Sequence, residues 1–345
     1  MRVFTTLPQA DLTEAGEAAR VREELGFDGI VTMENKHDAF LPLAVAATTT
    51  NRVELTTGIA ISFNRSPMVA ANVGWDLYES SGGRFALGLG TQIRAHNEKR
   101  FSVPWSAPAP RMREYVQALR AIWRCWDQGE RLRFEGEHYT FTLMIPNFTP
   151  ENTVPGIPRI TLAAVGPRMM TLSGEVADGV QLHPFCTRKY ISETVMPCLE
   201  AGFAINGRRR EDFEIMGGGF IATGADDEAV QKVADWVRYR IAFYGSTPAY
   251  YPVLAAHGLE DLGLKLNRMT KDGQWDKIAA EVPDDFLHAC AAIGRHDEIA
   301  DLIETRCGGV SDSVFASSSN ERPSDLPPDV IQDIQRIPAK FSLAA

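Results

Sequence analysis

The sequence predicts an α/β protein folded as a single (β/α)8 TIM barrel. Three observations carry that expectation: short β-branched runs alternate with longer helical patterns, the runs number eight, and the turn after the first run lacks a nucleotide-binding fingerprint. Eight parallel strands can close on themselves and leave no edge. A doubly wound open sheet would hold the same elements, but its glycine-rich fingerprint should follow the first strand, where this chain reads Pro8-Gln9-Ala10-Asp11.

Strands are expected at Arg2–Leu7, Gly29–Met33, Val53–Ile59, Phe85–Leu89, Arg159–Ala163, Gly179–Leu182, Phe213–Ala222 and Ser313–Ala316. Helices fill the intervals at Leu12–Leu25, Leu41–Thr50, Pro67–Ser80, Arg111–Gln128, Pro167–Glu175, Thr187–Ala204, Asp227–Phe243 and His296–Arg306, several with Asp, Ser or Thr near the start. Two stretches interrupt the alternation. Arg131–Phe141, centred on Glu135-Gly136-Glu137, reads as a β-hairpin. Thr247–Ile293, punctuated by Pro248, Gly258, Gly263, Gly273 and Pro283, reads as a helical insertion. Neither forces a second domain, so residues 1–345 are expected to form one, with a C-terminal tail over about 318–345 that is Pro-rich from Arg322.

Composition narrows the partners. With 44% hydrophobic residues in 345, the chain can bury a sizeable core, and its formal charge of −10 leaves no basic stripe for a phosphate backbone. Nucleic acid is not expected as a partner. The N-terminus has no signal-peptide pattern and no apolar run approaches a bilayer span, so a cytoplasmic protein without membrane insertion is expected. Cys125, Cys186, Cys198, Cys290 and Cys307 are odd in number and never spaced C-x-x-C, which argues for buried thiols over disulfides or zinc.

A barrel of this type works at the C-terminal ends of its strands. Three segments there are rich in polar or glycine residues: Glu34-Asn35-Lys36-His37-Asp38, then Gly88 through His96, then Ala163-Ala164-Val165-Gly166-Pro167-Arg168. Glycine lets a ligand approach the backbone, and a Gly-Pro pair opening a helix leaves N–H groups for a phosphate, with Arg168 adding charge. Glycines at strand ends also serve packing and turns. His37, His96 and His183 fall near this mouth, where an imidazole can act as proton donor or as an ordinary hydrogen-bonding group. No nucleophile elbow, Walker phosphate loop or H-E-x-x-H metal helix is present. Asp226-Asp227 and Asp284-Asp285 read as helix caps, and Arg208-Arg209-Arg210 as a solvated charged turn.

Gly26-Phe27-Asp28-Gly29, Asn64-Arg65-Ser66-Pro67, Ser81-Gly82-Gly83-Arg84-Phe85-Ala86-Leu87-Gly88-Leu89-Gly90, Ala163 through Pro167 and Ala177-Asp178-Gly179 together resemble the luciferase-like monooxygenase superfamily. Within it the chain is most similar to the F420-dependent oxidoreductases. That resemblance implies a deazaflavin at the barrel mouth, hydride transfer between its C5 and a small organic substrate, and a homodimer. It also implies a non-prolyl cis peptide backing the ring, aligned with Gly58-Ile59. Glu34 matches an acidic residue beside the ring. Asn35 stands where many relatives carry an acid-base histidine, so that role falls to Glu34, His37 or His183. Thr91, Gln92, His96, Ala163, Ala164, Val165 and Gly166 match cofactor-lining positions. Trp75, Trp105 and Phe63 are candidate apolar walls, with core packing the plainer role for Trp75. The same resemblance admits an FMN-dependent monooxygenase and a non-catalytic flavin-binding protein.

Overall fold

A computed structural model describes residues 1–317 and 326–341. Eight parallel strands close a barrel: β1 (Arg2–Thr6), β2 (Gly29–Thr32), β3 (Glu54–Thr57), β4 (Phe85–Gly90), β5 (Arg159–Ala164), β6 (Gly179–Leu182), β7 (Glu214–Gly217) and β8 (Ser313–Phe315). Closure is explicit in the register, with Arg2 of β1 opposite Ser313 of β8 and Leu55 of β3 opposite Phe85 of β4. Nearly every strand position is buried, because helices cover the outside and side chains fill the inside.

The helices begin and end where local chemistry dictates. Asp11 accepts from the Thr13 N–H to start Leu12–Leu25, and Gly26 stops that helix in the left-handed conformation. Ser66 caps Pro67–Ser80 ahead of a proline, and Asp226 caps Asp227–Gly245 through the Ala229 N–H, so the cap reading of that carboxylate pair holds. Between helices and strands lie Trp75 and Trp123, both buried, with their indole N–H groups on the Glu151 and Ala71 carbonyls. Burial of each such side chain contributes on the order of 2–3 kcal/mol.

The N-terminal end of the barrel is filled by charge. Arg2, Glu54, Arg159 and Glu214 come one from each odd-numbered strand, the alternate-strand layering expected of such a barrel. Arg2 reaches both carboxylates at 3.0 Å, and Arg159 reaches Glu54 at 3.1 Å and also Glu214. The C-terminal segment covers this end, with Phe341 against the Arg159 guanidinium.

Several expectations are corrected. The run Phe213–Ala222 is not one strand. Gly217 and Gly218 take φ of 77° and 104°, ending β7 and redirecting the chain into a separate strand, Phe220–Gly224. Its partner is Ala291–Arg295, so the insertion is helical only as far as Cys290 and finishes as a strand. The Val53–Ile59 run is likewise interrupted, since β3 stops at Thr57 and pairing resumes only at Ala60–Ile61. Two helices lie outside the predicted set: Arg94–Lys99 after β4, and Pro328–Gln335 inside the Pro-rich tail. Of the three consecutive arginines only Arg209 is exposed, while Arg210 turns inward to Asp312 at 2.8 Å. The hairpin is present, pairing Phe134–Glu135 with Thr140–Phe141. All five cysteines are free, and four are buried.

Candidate active site

A cavity of about 430 Å³ opens at the C-terminal ends of the strands. Its floor and one wall come from the barrel, from the C-terminal ends of strands and the residues that follow them: Val31 and Met33 at β2, Gly58 and Ile59 after β3, Gly90 to Ile93 at the end of β4, Ala163 to Val165 at the end of β5, and Gln181 to Pro184 at the end of β6. Phe315 contributes from β8 and Ser317 from just beyond it, and Tyr244, Thr247, Ala249 and Tyr250 close it from the long helix Asp227–Gly245 and the insertion.

The bulge after β3 is the defining local feature. The Gly58–Ile59 peptide is cis and non-prolyl, as the sequence resemblance implied. Gly58 donates to the Thr32 carbonyl at 2.7 Å, and the Ile59 carbonyl accepts from the Glu34 N–H at 3.1 Å. Behind the bulge the Glu34 carboxylate accepts from the Ile61 N–H at 2.7 Å, from Asn64 at 3.2 Å and from Arg65 at 2.7 and 2.9 Å. Arg65 also reaches Asp38 at 3.0 Å. Strand β4 can approach the bulge only because residue 88 is glycine: a Cβ there would sit 1.8 Å from the Thr57 carbonyl oxygen.

Gln181 ties the floor together, donating to the Thr57 carbonyl and to the Thr161 hydroxyl, each at 2.9 Å. Two residues on, His183 Nδ1 accepts from the Phe185 N–H at 3.0 Å. Its ring lies against Tyr244 and Tyr250, with centroids 4.2 and 4.6 Å away. Burial, and then the nearby Arg240 charge, push the imidazole pKa down to about 3. The neighbouring Cys186 is a buried thiol that burial raises to about 12, which removes it as a nucleophile at neutral pH.

Gly58, Ile59, Thr91, Gln92, Ala163, Ala164, Val165 and His183 therefore line the cavity as expected. Other candidates do not. Glu34 is turned to Arg65 and fastens the bulge from behind. His37 is exposed, because Gln9 ties the Met33 and Asp38 carbonyls and Asp38 caps the following turn, leaving the loop tip in solvent. His96 is exposed for a helical reason: the adjacent Asn97 faces inward, donating to the Thr91 and Ile93 carbonyls, so its predecessor faces out. Gly166 and Arg168 lie at the start of helix Pro167–Val176, outside the cavity lining. Trp75 and Phe63 are core residues, and Trp105 is half-buried away from the lining. Sequence reasoning missed Gln181, Tyr244, Thr247, Tyr250 and Ser317. Of these only Gln181, a polar residue inside an apolar strand, carried a readable signal.

Comparison with known proteins shows the family and the fold. An uncharacterized protein of Mycobacterium tuberculosis is 50% identical over 313 residues, spanning 90% of this chain and 92% of its own. A 5,10-methylenetetrahydromethanopterin reductase of Archaeoglobus fulgidus is 27% identical over 321 residues, spanning 90% and 91%. The structure of the coenzyme F420 dependent tetrahydromethanopterin reductase from Methanopyrus kandleri shares the fold with a TM-score of 0.77 at 19% identity, covering 97% of both chains. The profile of the luciferase-like monooxygenase family matches residues 2–311, and the chain belongs to that family.

Proposed function

We propose that the protein is a coenzyme F420-dependent oxidoreductase that moves a hydride between C5 of the deazaflavin and a small organic substrate. The observation that carries this reading is the cavity's barrel-side wall. The cis Gly58–Ile59 bulge, Gly90 and the small side chains Ala163 and Ala164 give an uncharged surface suited to a planar ring. Beside that wall, helix Pro167–Val176 begins at Gly166 with no side-chain cap, and Arg168 is exposed with no ion-pair partner among the described residues. A helix start without a side-chain cap, next to a guanidinium, is the setting a phosphate needs, so these residues fit the anionic end of F420. The similarity to the Archaeoglobus fulgidus reductase supports the same reading.

When bound, the deazaflavin supplies the hydride chemistry. The chain's own work is to hold the reactants, orient them and exclude water. Gly58 and Ile59 would back the ring, Glu34 and Arg65 hold those two residues in place, and Thr91 and Gln92 line the same cavity. No helix among the described residues is long and apolar enough to cross a membrane. A cytoplasmic homodimer is part of the proposal, and sedimentation should give twice the 38.1 kDa chain mass.

Fluorescence titration with F420 and, separately, FMN tests the cofactor. Micromolar or tighter binding of F420 with weaker FMN binding is the expected result. The family itself is named for monooxygenases, so preference for FMN, with oxygen consumed by the reduced complex, would replace the proposal with the flavin-dependent reading.

A further inference from the structure

The wall opposite in origin to the barrel, built by the long helix and the insertion, restricts what can share the cavity. None of the lining residues among those described is Asp, Glu, Lys or Arg. The ionisable groups present are His183, Tyr244 and Tyr250, and burial keeps the His183 imidazole and the Tyr250 phenol uncharged at neutral pH. An ionic substrate would give up water here, and no lining residue carries a charge to replace it. A neutral one needs no such charge.

His183 supplies the polar handle. Because Nδ1 accepts the Phe185 N–H, its lone pair is in use there and the ring proton resides on Nε2. Nε2 has no hydrogen-bond partner among the described residues, and the ring lines the cavity. The imidazole cannot swing to another role, since Tyr244 and Tyr250 pack on it and the Phe185 N–H holds its other nitrogen. Arg240 reinforces the arrangement from behind. It donates to the Tyr244 hydroxyl, stacks against Trp236, Phe243 and Tyr244, and does not itself reach the lining.

From this geometry we infer that the substrate is a small uncharged molecule bearing a carbonyl or hydroxyl oxygen, and that the neutral Nε2–H of His183 positions that oxygen against the Thr247–Tyr250 wall. The inference rests on the oxidoreductase reading in taking this cavity as the place of reaction. It makes His183 a fixed hydrogen-bond donor and not the acid that gives up a proton.

The test uses cyclohexanone, cyclohexanol and cyclohexanecarboxylate as probes, with binding to the full chain followed by ligand-observed NMR at pH 7, with and without F420. The ketone and alcohol should bind at least about tenfold more tightly than the carboxylate. His183→Phe should weaken ketone binding about tenfold, whereas His183→Gln, which keeps an N–H donor, should stay within about threefold of the parent. Thermal melts of both variants check that they fold, and the selectivity of the parent needs neither. Equal or better binding of the carboxylate, no binding of either neutral probe, or unchanged ketone binding in a folded His183→Phe protein would each overturn the inference. Failure of F420 to bind while the probe preferences persist would remove the hydride-transfer reading and leave the neutral subsite standing.

Discussion

At the N-terminal end of the barrel Arg2, Glu54, Arg159 and Glu214 form a closed ring of ion pairs, whereas the cavity at the C-terminal end shows no formal charge among its described lining residues. Both ends hold buried titratable groups, so burial alone does not separate them. Partners do. Burial by itself would raise the Glu214 pKa, yet Arg2 and Arg159, with the Ser313 hydroxyl, override it and hold the carboxyl below its ordinary value. For His183 burial and the Arg240 charge act in the same direction, and the imidazole is neutral. A buried group is charged where opposite charges surround it and neutral where they do not. One end of this barrel is thereby pinned, and the other is left free to receive an uncharged ligand.

The largest effect should come from breaking the pinned end. Glu214→Ala leaves two half-buried guanidiniums sharing Glu54 alone and should cost about 3–5 kcal/mol in denaturant unfolding, with ligand binding retained by the folded fraction. A loss below about 1 kcal/mol would show that the ring contributes little. Next is Glu34→Ala, which leaves the Ile61 N–H without its acceptor and Arg65 with Asp38 as its one remaining carboxylate. It should cost about 2–3 kcal/mol and weaken F420 binding at least about tenfold, read by unfolding and fluorescence titration. Unchanged F420 binding would separate the bulge from the cofactor.

Acid titration sharpens the contrast between the ends. His183 takes up its proton near 6.5 when unfolded and at about 3 when folded, so between those values the unfolded chain holds more protons and stability falls as pH drops. His257, also lowered by burial, acts in the same sense. The Glu214 contribution is present above about 4.5 and is lost as pH falls further. His183→Gln should therefore flatten the slope just below pH 6.5, and Glu214→Gln the slope below about 4.5, measured as denaturation midpoints against pH. The smallest effect is at the rim. Arg168→Ala should weaken F420 binding about two- to fivefold with no change in melting temperature.

The success of the sequence reading follows the range of the forces involved. Alternation of strands and helices is local, and so is the cap at Asp226, and the structure has both where the sequence predicts them. The overrun at Phe213–Ala222 ignored a local signal, three consecutive glycines able to take positive φ. Residues at the C-terminal ends of the barrel strands, Ala163 and Ala164 among them, reach the cavity because strand direction carries them there. Loop residues failed that test. His37 and His96 follow strand ends just as His183 does, but the turn at Asp38 and the inward Asn97 send the first two to solvent.

Composition and periodicity by themselves determined that this chain closes a parallel barrel with its working face at the strand C-termini, because hydrophobic burial and backbone pairing repeat at short sequence intervals. The resemblance added the cis bond at Gly58–Ile59. Only the tertiary structure decided which side chains meet above that bond. Tyr244 and Tyr250 come to His183 from more than fifty residues away, Glu34 is captured by Arg65, and the charge of each buried group is set by neighbours that no spacing along the chain records.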